Sequence, residues 1–374
     1  MIFKIDKSCL NVIENEYAIK ALNTLAYNRE KGRNFIFAEK EVLDILKEKD
    51  CLDSSAQKVF KSLFNNSSEN KLYFESVNKY INIVEKIDGD RVVKVNDKEE
   101  CKVKLEELSS NNMTDITIII TENRDDYELY KLIAKYYAKS KRIKTSIWFD
   151  LKLGGGSTTS KTLEYEIETN KEFETNKKLC LCIVDSDIKF LNGPAGDTKK
   201  SVEEFIKKKT QDFWKVIFLD VHEIENLLPI CWMEKCTTDI KTSSETIKFL
   251  KYLTDKEKEH KAIYYFDIKN GIKKEKFICK DKKSVEKMKK FRKDEEYRKF
   301  WISYLKDYGI EIDKIKDEHI INGLSTKILS KVVKECIEKN WLDELNPIDE
   351  HLKEKWASVG KDVFSWGCVG NRIL

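Results

Sequence analysis

The chain has 374 residues, 41% of them hydrophobic and 36% charged, so it can form sizeable cores in one or two domains. Its 70 basic and 66 acidic residues nearly cancel, so the net charge of +4 does not by itself indicate a nucleic-acid-binding protein. No apolar stretch approaches the ~20 residues of a membrane helix, and the N-terminus lacks the order of a signal peptide. The ten cysteines form no Cys-x-x-Cys motif. We therefore expect a cytoplasmic protein with reduced thiols, no membrane association and no zinc site.

Residues 1–112 are predicted to form a mostly helical N-terminal region. Apolar residues at helical spacing predict helices over residues 18–28, 39–48, 54–64 and 72–86. Asp53 is a plausible residue to start the third of these helices. A short extended piece is expected at residues 91–95, and the polar run at residues 109–113 suggests a domain boundary.

Residues 113–272 are predicted to form an α/β domain. Strands are expected over residues 115–121, 143–149, 179–184 and 216–219, and helices over residues 126–140, 161–173 and 200–209. This alternation predicts a mainly parallel four-stranded sheet flanked by helices. A strand-like insert is expected at residues 262–268, and residues 273–374 are predicted to form a helical C-terminal region.

Two aspartates directly follow the third predicted strand. Residues 180–184 form a buried-strand pattern, and Asp185 and Asp187 come next, with one residue between them. In an extended segment, residues i and i+2 point to the same side, so both carboxylates could face one ion at the carboxyl edge of the sheet. Surface acids in a loop are the alternative.

A second acidic group follows the fourth predicted strand. Glu223 and Glu225 repeat the i, i+2 spacing, and His222 beside them could be a base, a hydrogen-bond donor or a structural residue. Lys269 ends the strand-like insert and could neutralise charge on a phosphate, or it could be an ordinary turn lysine. Since oxygen ligands dominate, Mg²⁺ or Mn²⁺ is favoured over zinc.

The first two predicted strands also end at candidate site residues. Glu122 follows the first strand, although Asn123 and Asp125 in the same turn could simply cap the next helix. The turn after the second strand consists of Gly154, Gly155, Gly156 and Ser157. Its backbone N–H groups could hold a phosphate, but it lacks the ending of a P-loop, and a tight turn is the alternative.

The order of these motifs resembles the TOPRIM domain of topoisomerases, primases and OLD-family nucleases. It is more closely similar to TOPRIM-like proteins of bacterial anti-phage loci, including the effector subunit of the PARIS system. The matching elements are Thr121-Glu122-Asn123, Gly154-Gly155-Gly156, Asp185-Ser186-Asp187 and His222-Glu223-Ile224-Glu225-Asn226. The resemblance covers residues 115–229 and extends toward Lys269. The usual Glu-Gly of the first family motif is Glu122-Asn123 here.

The resemblance implies an endonuclease that uses Mg²⁺ or Mn²⁺ to hydrolyse phosphodiester bonds in DNA or RNA, with tRNA as one candidate. It further implies a toxic effector in anti-phage defence, with a partner ATPase or another defence-complex subunit, and it is compatible with a homo-oligomer. Glu122 would be a general acid/base or metal ligand, and Lys269 would steady charge on the cleaved phosphate. The remaining metal ligands would be Asp185, Asp187 and Glu225. Substrate or phosphate contacts would come from Gly154, Gly155, Gly156, Ser157, His222 and Glu223.

Two alternatives remain open at this point. A PIN-like RNase would use Asp6, Glu41 and the Asp125-Asp126 pair, so that residues 1–150 would be the catalytic unit. A non-catalytic TOPRIM-like scaffold would instead bind a partner ATPase or a nucleotide signal through the glycine turn. In that second case the carboxylates would be dispensable and Gly155 essential.

Overall fold

The computed structural model describes residues 1–109, 112–172, 178–207, 209–237, 241–256, 261–278, 294–344 and 347–373. The chain divides into two compact units, each assembled from separate segments. Unit 1 comprises Met1–Ile183, Phe205–Ile217 and Trp356–Leu374. Unit 2 comprises Val184–Glu204 and Phe218–Lys355. The three predicted regions, 1–112, 113–272 and 273–374, stay a prediction, because compactness does not show which parts fold alone.

The regular elements follow in chain order. The α-helices are α1 Glu16–Glu30, α2 Lys40–Leu46, α3 Ser54–Asn65, α4 Ser67–Ser76, α5 Leu105–Leu108, α6 Arg124–Ser140, α7 Thr159–Glu172, α8 Asp197–Ile206, α9 Ile230–Cys236, α10 Lys241–Lys256, α11 Glu295–Asp307, α12 Ile328–Lys339 and α13 Lys353–Gly367. The strands are β1 Ile2–Ile5, β2 Phe35–Ala38, β3 Lys79–Val84, β4 Val92–Val95, β5 Lys98–Lys104, β6 Ile118–Thr121, β7 Ser146–Ile147, β8 Asp150–Leu153, β9 Cys180–Val184, β10 Trp214–Phe218, β11 Gly271–Lys273, β12 His319–Asn322 and β13 Cys368–Val369. Short 3₁₀ helices lie at Lys7–Val12, Gly156–Thr158, Ile224–Leu227, Ala262–Tyr265, Lys274–Lys276, Ile312–Lys314, Trp341–Asp343 and Glu350–Leu352.

The N-terminal region contains five α-helices and also a five-stranded sheet in the order β2-β1-β3-β5-β4, which the sequence did not predict. The first three predicted helices are confirmed as α1 to α3, and α3 begins directly after Asp53. The helix predicted over residues 72–86 is instead the end of α4 followed by β3. β3 pairs in parallel with β1 and β5, and all its residues are buried. A strand covered on both faces has no polar face, so its sequence does not show the period of two that would identify it.

A four-stranded parallel sheet in the order β8-β6-β9-β10 is flanked by helices, which confirms the predicted core of the α/β region. Ile118 of β6 pairs with Asp150 of β8 on one side and Cys180 of β9 on the other. β6 and β9 are buried throughout, as expected for apolar runs in the middle of a parallel sheet. Asp185 and Asp187 therefore follow a buried strand, as predicted.

The second strand of this sheet was placed wrongly by the sequence. Residues 143–149 were expected to form it, but the strand is β8, which starts at Asp150. Within the predicted range, β7 pairs antiparallel with β13 in a separate two-stranded ladder. β8 lies at the edge of the sheet and is only partly buried, so its Asp-Leu-Lys-Leu sequence is less apolar than the run before it.

In the described part of the C-terminal region, helices are joined by two short pairings, β11 with β12 and β13 with β7. The strand predicted over residues 262–268 is wrong, because Ala262–Tyr265 is a 3₁₀ helix. Ala262, Ile263 and Tyr264 are buried, and a short apolar run alone does not distinguish a strand from a buried turn of helix. No helix in the described ranges has both the length and the apolar character needed to cross a membrane. The described cysteines are free thiols, and Cys279 lies outside the described residues.

Candidate metal centre

Three side chains of unit 2 form a group with the composition of a metal site. Asp187, His222 and Glu223 each offer one ligand atom, and these atoms lie within 4.8 Å of one another. His222 is fully buried, and neither of its ring nitrogens has a hydrogen-bond partner among the described residues. Leaving a buried polar group unpaired costs about 1–3 kcal/mol. A divalent cation at this point would bind an imidazole nitrogen together with two carboxylates, so the residues present fit such an ion.

Backbone hydrogen bonds between loops bring these side chains together. The Asp187 N–H donates to the His222 carbonyl at 2.8 Å, and the His222 N–H donates to the Tyr264 carbonyl at 2.7 Å. The buried Ser186 hydroxyl donates to the Val221 carbonyl at 2.5 Å. The loop after β9 is thus bonded to the loop after β10, and that loop is bonded to the 3₁₀ helix at Ala262–Tyr265. The positions of Asp187 and His222 are therefore fixed by the fold rather than by the ion.

The backbone at Asp187 is left-handed, with a φ of 54°, so the extended segment assumed from the sequence is not present there. Asp is among the few non-glycine residues that adopt this conformation at modest cost. Gly196 packs directly against the Asp187 side chain, since a Cβ at this glycine would lie 2.2 Å from the Asp187 Oδ2 atom and 2.4 Å from its Cβ. The Gly196 N–H also donates to the Ser186 carbonyl at 2.9 Å.

Gly196→Ala is expected to weaken Mn²⁺ binding by at least about 10-fold, because the added methyl group displaces the Asp187 carboxylate from the other two ligands. Isothermal titration calorimetry measures this change. Gly309→Ala is the matched control, since Gly309 has a φ of 89° but no atom within 4 Å of its Cβ position. The control should lose some thermal stability and keep its metal affinity. Equal affinity in Gly196→Ala and the wild type would show that this contact does not position Asp187.

Lys269 places a positive charge beside the metal group. Its ammonium lies 3.0 Å from Glu223 Oε2 and 3.5 Å from Glu225 Oε2. Burial alone would lower the pKa of Lys269, but the carboxylates of Glu225, Glu223 and Asp185 outweigh burial and raise it. Burial raises the pKa of Glu225, and Lys269 opposes that rise. Lys269 therefore remains a cation at neutral pH, and Asp185 acts on it electrostatically.

Asp267 is a residue of this site that sequence reasoning missed. Its Oδ2 atom lies 3.9 Å from His222 Nε2. Burial would raise the pKa of Asp267, but the His222 side chain and hydrogen bonds from Asn270 lower it to about 2. The carboxylate is therefore ionised at neutral pH, next to the imidazole. The sequence did offer a signal for Asp267: it lies two residues before Lys269, in the same segment after the 3₁₀ helix, so a site that includes Lys269 could also include Asp267.

Asn226 braces the loop that carries His222 and Glu223. Its side-chain oxygen accepts a hydrogen bond from the Glu223 N–H at 3.0 Å. Its side-chain nitrogen donates to the carbonyls of Ile263 at 2.8 Å and Phe266 at 2.9 Å. Asn226 thus connects the acidic loop to the segment leading to Asp267 and Lys269, a structural role for this residue of the predicted motif.

The glycine turn belongs to unit 1, and two of its backbone donors are engaged. The Gly154 N–H donates to the Thr121 carbonyl at 2.7 Å, and the Gly155 N–H donates to the Glu122 carbonyl at 3.2 Å. Gly155 and Gly156 have φ values of 64° and 55°, which glycine adopts readily. These bonds favour the tight-turn interpretation over a phosphate cradle. The Ser157 side chain lies outside the described residues.

Glu122 also belongs to unit 1, at the end of β6. As the alternative for this turn predicted, Asn123 caps α6, but it does so with Asp126 rather than Asp125: the two form a capping box in which the Asn123 N–H donates to Asp126 Oδ2 at 2.8 Å. A carboxylate oxygen of Glu122 lies 3.9 Å from the position that a Cβ would occupy at Gly156. Its charge adds to burial in raising the pKa of the Cys182 thiol. A catalytic role for Glu122 stays a prediction.

Two acids of the PIN-like alternative, Asp6 and Asp126, help to cap helices. Asp6 accepts a hydrogen bond from the Ser8 N–H at 2.9 Å and caps the first 3₁₀ helix. Glu41 is exposed and lies 3.7 Å from the Lys7 ammonium. Asp126 belongs to the capping box of α6. Within the described residues, none of these acids belongs to a three-ligand group like the one in unit 2.

A cavity of about 530 Å³ in unit 2 includes Asp187 in its wall. Its cations are Lys189 and Lys276, and its aromatic rings are Phe190 and Tyr297. The Lys276 ammonium lies 4.2 Å from the centre of the Tyr297 ring. The other acids in the wall are Asp197, Asp294 and Glu296. This size falls within the range of about 300–1,000 Å³ typical of small-ligand sites.

Comparison of the chain with protein-family models, curated proteins and solved structures found no significant match. The resemblance to TOPRIM proteins therefore depends on the order of the sequence motifs and has no independent support from a relative.

Proposed function

We propose that the protein is a metal-dependent phosphodiesterase that cleaves nucleic acid, with Asp187, His222 and Glu223 as its metal ligands. The observation that carries this proposal is the fully buried His222, whose ring nitrogens have no hydrogen-bond partner among the described residues and which groups with the carboxylates of Asp187 and Glu223. A buried polar group without a hydrogen bond gains free energy when a ligand binds to it. A bound divalent ion would lower the pKa of a coordinated water and offset negative charge on a phosphate.

The ligand set favours Mn²⁺ over Mg²⁺. Carboxylate oxygens suit both ions, whereas an imidazole nitrogen suits transition metals better. The sequence favoured either ion because His222 was not assigned as a ligand. With His222 in the ligand group, we expect tighter binding and higher activity with Mn²⁺.

The groups around the ligands also suit phosphate chemistry. Lys269 carries a positive charge next to Glu223 and Glu225, where it can stabilise negative charge that develops on a substrate. Asp267 stays ionised beside His222 and favours one orientation of the imidazole. Lys189 and Lys276 in the adjoining cavity could hold further phosphates. The choice of nucleic acid as the substrate rests on these cations and on the resemblance to TOPRIM nucleases.

Cleavage assays test this proposal. The wild type, with Mn²⁺ or Mg²⁺, is expected to cleave at least one of three substrates: plasmid, single-stranded DNA or total tRNA. His222→Gln should lose cleavage, because an amide replaces the ring nitrogens that face the ion. Glu234→Gln is the matched control: Glu234 is a half-exposed acid of unit 2 that pairs with Lys251, and its loss should leave cleavage unchanged.

Cleavage that persists in His222→Gln would contradict the assignment of the site. Absence of cleavage in all substrates, with and without a partner ATPase, would favour the scaffold alternative. Glu122→Gln separately tests what the resemblance implies about unit 1. A toxic role in anti-phage defence is proposed on the resemblance alone, and a loss of phage protection in His222→Gln cells would support it.

A further inference from the structure

A second cavity, in unit 1, combines positive charges with exposed aromatic rings. Its volume is about 520 Å³, and its cations are Lys31, Arg33 and Arg372. The aromatic residues are Tyr27, with 51% of its surface exposed, and Trp148, with 55% exposed. Among the described residues that line this cavity, none carries a carboxylate. We call this the basic aromatic cavity. It differs from the cavity in unit 2, where acids outnumber lysines.

Two structural elements build the basic aromatic cavity. The C-terminal end of α1 and the turn after it provide Tyr27, Lys31 and Arg33, and the Lys31 ammonium lies 5.3 Å from the centre of the Tyr27 ring. The ladder of β7 with β13 and the residues that follow it provide Ser146, Trp148, Val369 and Arg372. Trp148 directly follows β7, and its backbone N–H donates to the Gly367 carbonyl at 3.0 Å.

The wall is held in place before any ligand binds. The buried Arg29 guanidinium donates to the Asn371 carbonyl at 2.6 Å, and the Gly370 N–H donates to the Asn34 carbonyl at 3.1 Å. A Cβ at Gly370 would lie only 2.1 Å from the Arg29 Cζ atom, so the two residues are in close contact. A cavity that is already formed binds its ligand without the cost of ordering its walls.

The charge of this cavity is only partly compensated. Arg33 lies 3.4 Å from Asp115, and both side chains are 41% exposed. An ion pair with this exposure is screened by water and salt, so Arg33 can exchange Asp115 for a phosphate at little cost. Among the described residues, no carboxylate pairs with the Lys31 ammonium, which lies against the Tyr27 ring. The cavity therefore combines positive electrostatic potential with solvent-exposed aromatic rings.

We propose that the basic aromatic cavity binds an unpaired nucleotide of single-stranded nucleic acid, with its base stacked on Trp148 and its phosphate held by Lys31, Arg33 and Arg372. Cations that follow a phosphate backbone and exposed rings that stack on bases are the two parts of single-strand binding sites. A base in a duplex has both faces covered by its neighbours and cannot stack on Trp148. The inference names a substrate class for the proposed nuclease, but binding here requires no metal.

Fluorescence anisotropy with labelled 12-nucleotide DNA and RNA strands, in EDTA, tests this site on the full chain. The wild type should bind the single strands, and Trp148→Ala should weaken binding by at least about five-fold, the effect of losing one stacked base. The double variant Lys31→Gln/Arg372→Gln should bind with a weaker dependence on salt. The slope of the logarithm of the binding constant against the logarithm of the salt concentration should become shallower by about 0.7 for each phosphate that the variant no longer neutralises. Because EDTA removes divalent ions, this result is independent of the metal centre.

Tyr165→Ala and Lys61→Gln are the matched controls, since Tyr165 is an exposed ring (67%) and Lys61 an exposed lysine outside the cavity. Both should bind as the wild type does. Trp148→Phe should restore most of the affinity, and thermal melts should show that all variants fold. The proposal is overturned if Trp148→Ala and Tyr165→Ala bind alike, or if a duplex binds as tightly as a single strand. Trp148-dependent binding to phosphatidylserine vesicles or to ATP, without oligonucleotide binding, would also overturn it.

Discussion

Asp187→Asn is expected to weaken Mn²⁺ binding by at least about 100-fold and to abolish nucleic-acid cleavage. Mutating a residue that hydrogen-bonds to a metal ligand typically lowers metal affinity by about 10–100-fold. Asp187→Asn removes the charge of a ligand itself, so its effect should be at least as large. Asn is the right replacement because it has the same shape and tolerates the left-handed backbone at this position. The Asp187 N–H bond to His222 is also preserved, because it involves only the backbone.

The stability of the metal-free protein separates a ligand role from a structural role. Asp187 lies close to Glu223, and two nearby carboxylates repel each other. Removing one negative charge should therefore leave the melting temperature of metal-free Asp187→Asn unchanged or slightly raised. Addition of Mn²⁺ should stabilise the wild type but not the variant. A large fall in the melting temperature of the metal-free variant, with Mn²⁺ affinity retained, would mean that Asp187 is structural.

Trp301→Ala is expected to destabilise the protein by about 3–5 kcal/mol, the usual cost of removing a buried aromatic side chain. Trp301 of α11 is 1% exposed. Its ring contacts the rings of Phe266, Tyr297, Phe300 and Tyr304. Its indole N–H donates to the Lys189 carbonyl at 3.0 Å, two residues beyond Asp187. Urea unfolding measures the loss of stability, and weaker Mn²⁺ binding should accompany it because the Asp187 loop is no longer supported by this bond.

Two variants of the same helix make this prediction specific. Ile302→Ala removes an apolar side chain that is 36% exposed, so its loss of unfolding free energy should be much smaller than that of Trp301→Ala. Trp301→Phe keeps most of the ring packing and removes the hydrogen bond to Lys189, so its cost should lie between the two. A loss of less than about 1 kcal/mol in Trp301→Ala would contradict the packing described for unit 2.

The sequence predicted those parts of the fold that local patterns specify. β6 and β9 are uninterrupted apolar runs followed by charged residues, and α1 and α3 have apolar residues at helical spacing, so each was identified. β3 was missed because it is buried on both faces, and the 262–268 segment was misassigned because a short buried 3₁₀ helix is as apolar as a strand. Local patterns do not report which face of a segment other elements cover.

The same limit applies to the metal centre. The sequence placed Asp187, His222 and Glu223 at strand ends, but the loop hydrogen bonds that join them connect residues far apart in the chain. Asp267 and Gly196 were missed because their roles arise only when those loops meet. The donors of the glycine turn were predicted to hold a phosphate, and the structure uses two of them to bind the end of β6. Neighbours in space decide whether a donor is available.

Anomalous X-ray diffraction from crystals soaked in Mn²⁺ tests the metal centre most directly. We predict one strong anomalous peak within about 2.0–2.3 Å of ligand atoms from Asp187, His222 and Glu223, absent from crystals of Asp187→Asn. A peak bound to other residues, or no peak although the wild type binds Mn²⁺ in solution, would contradict the site.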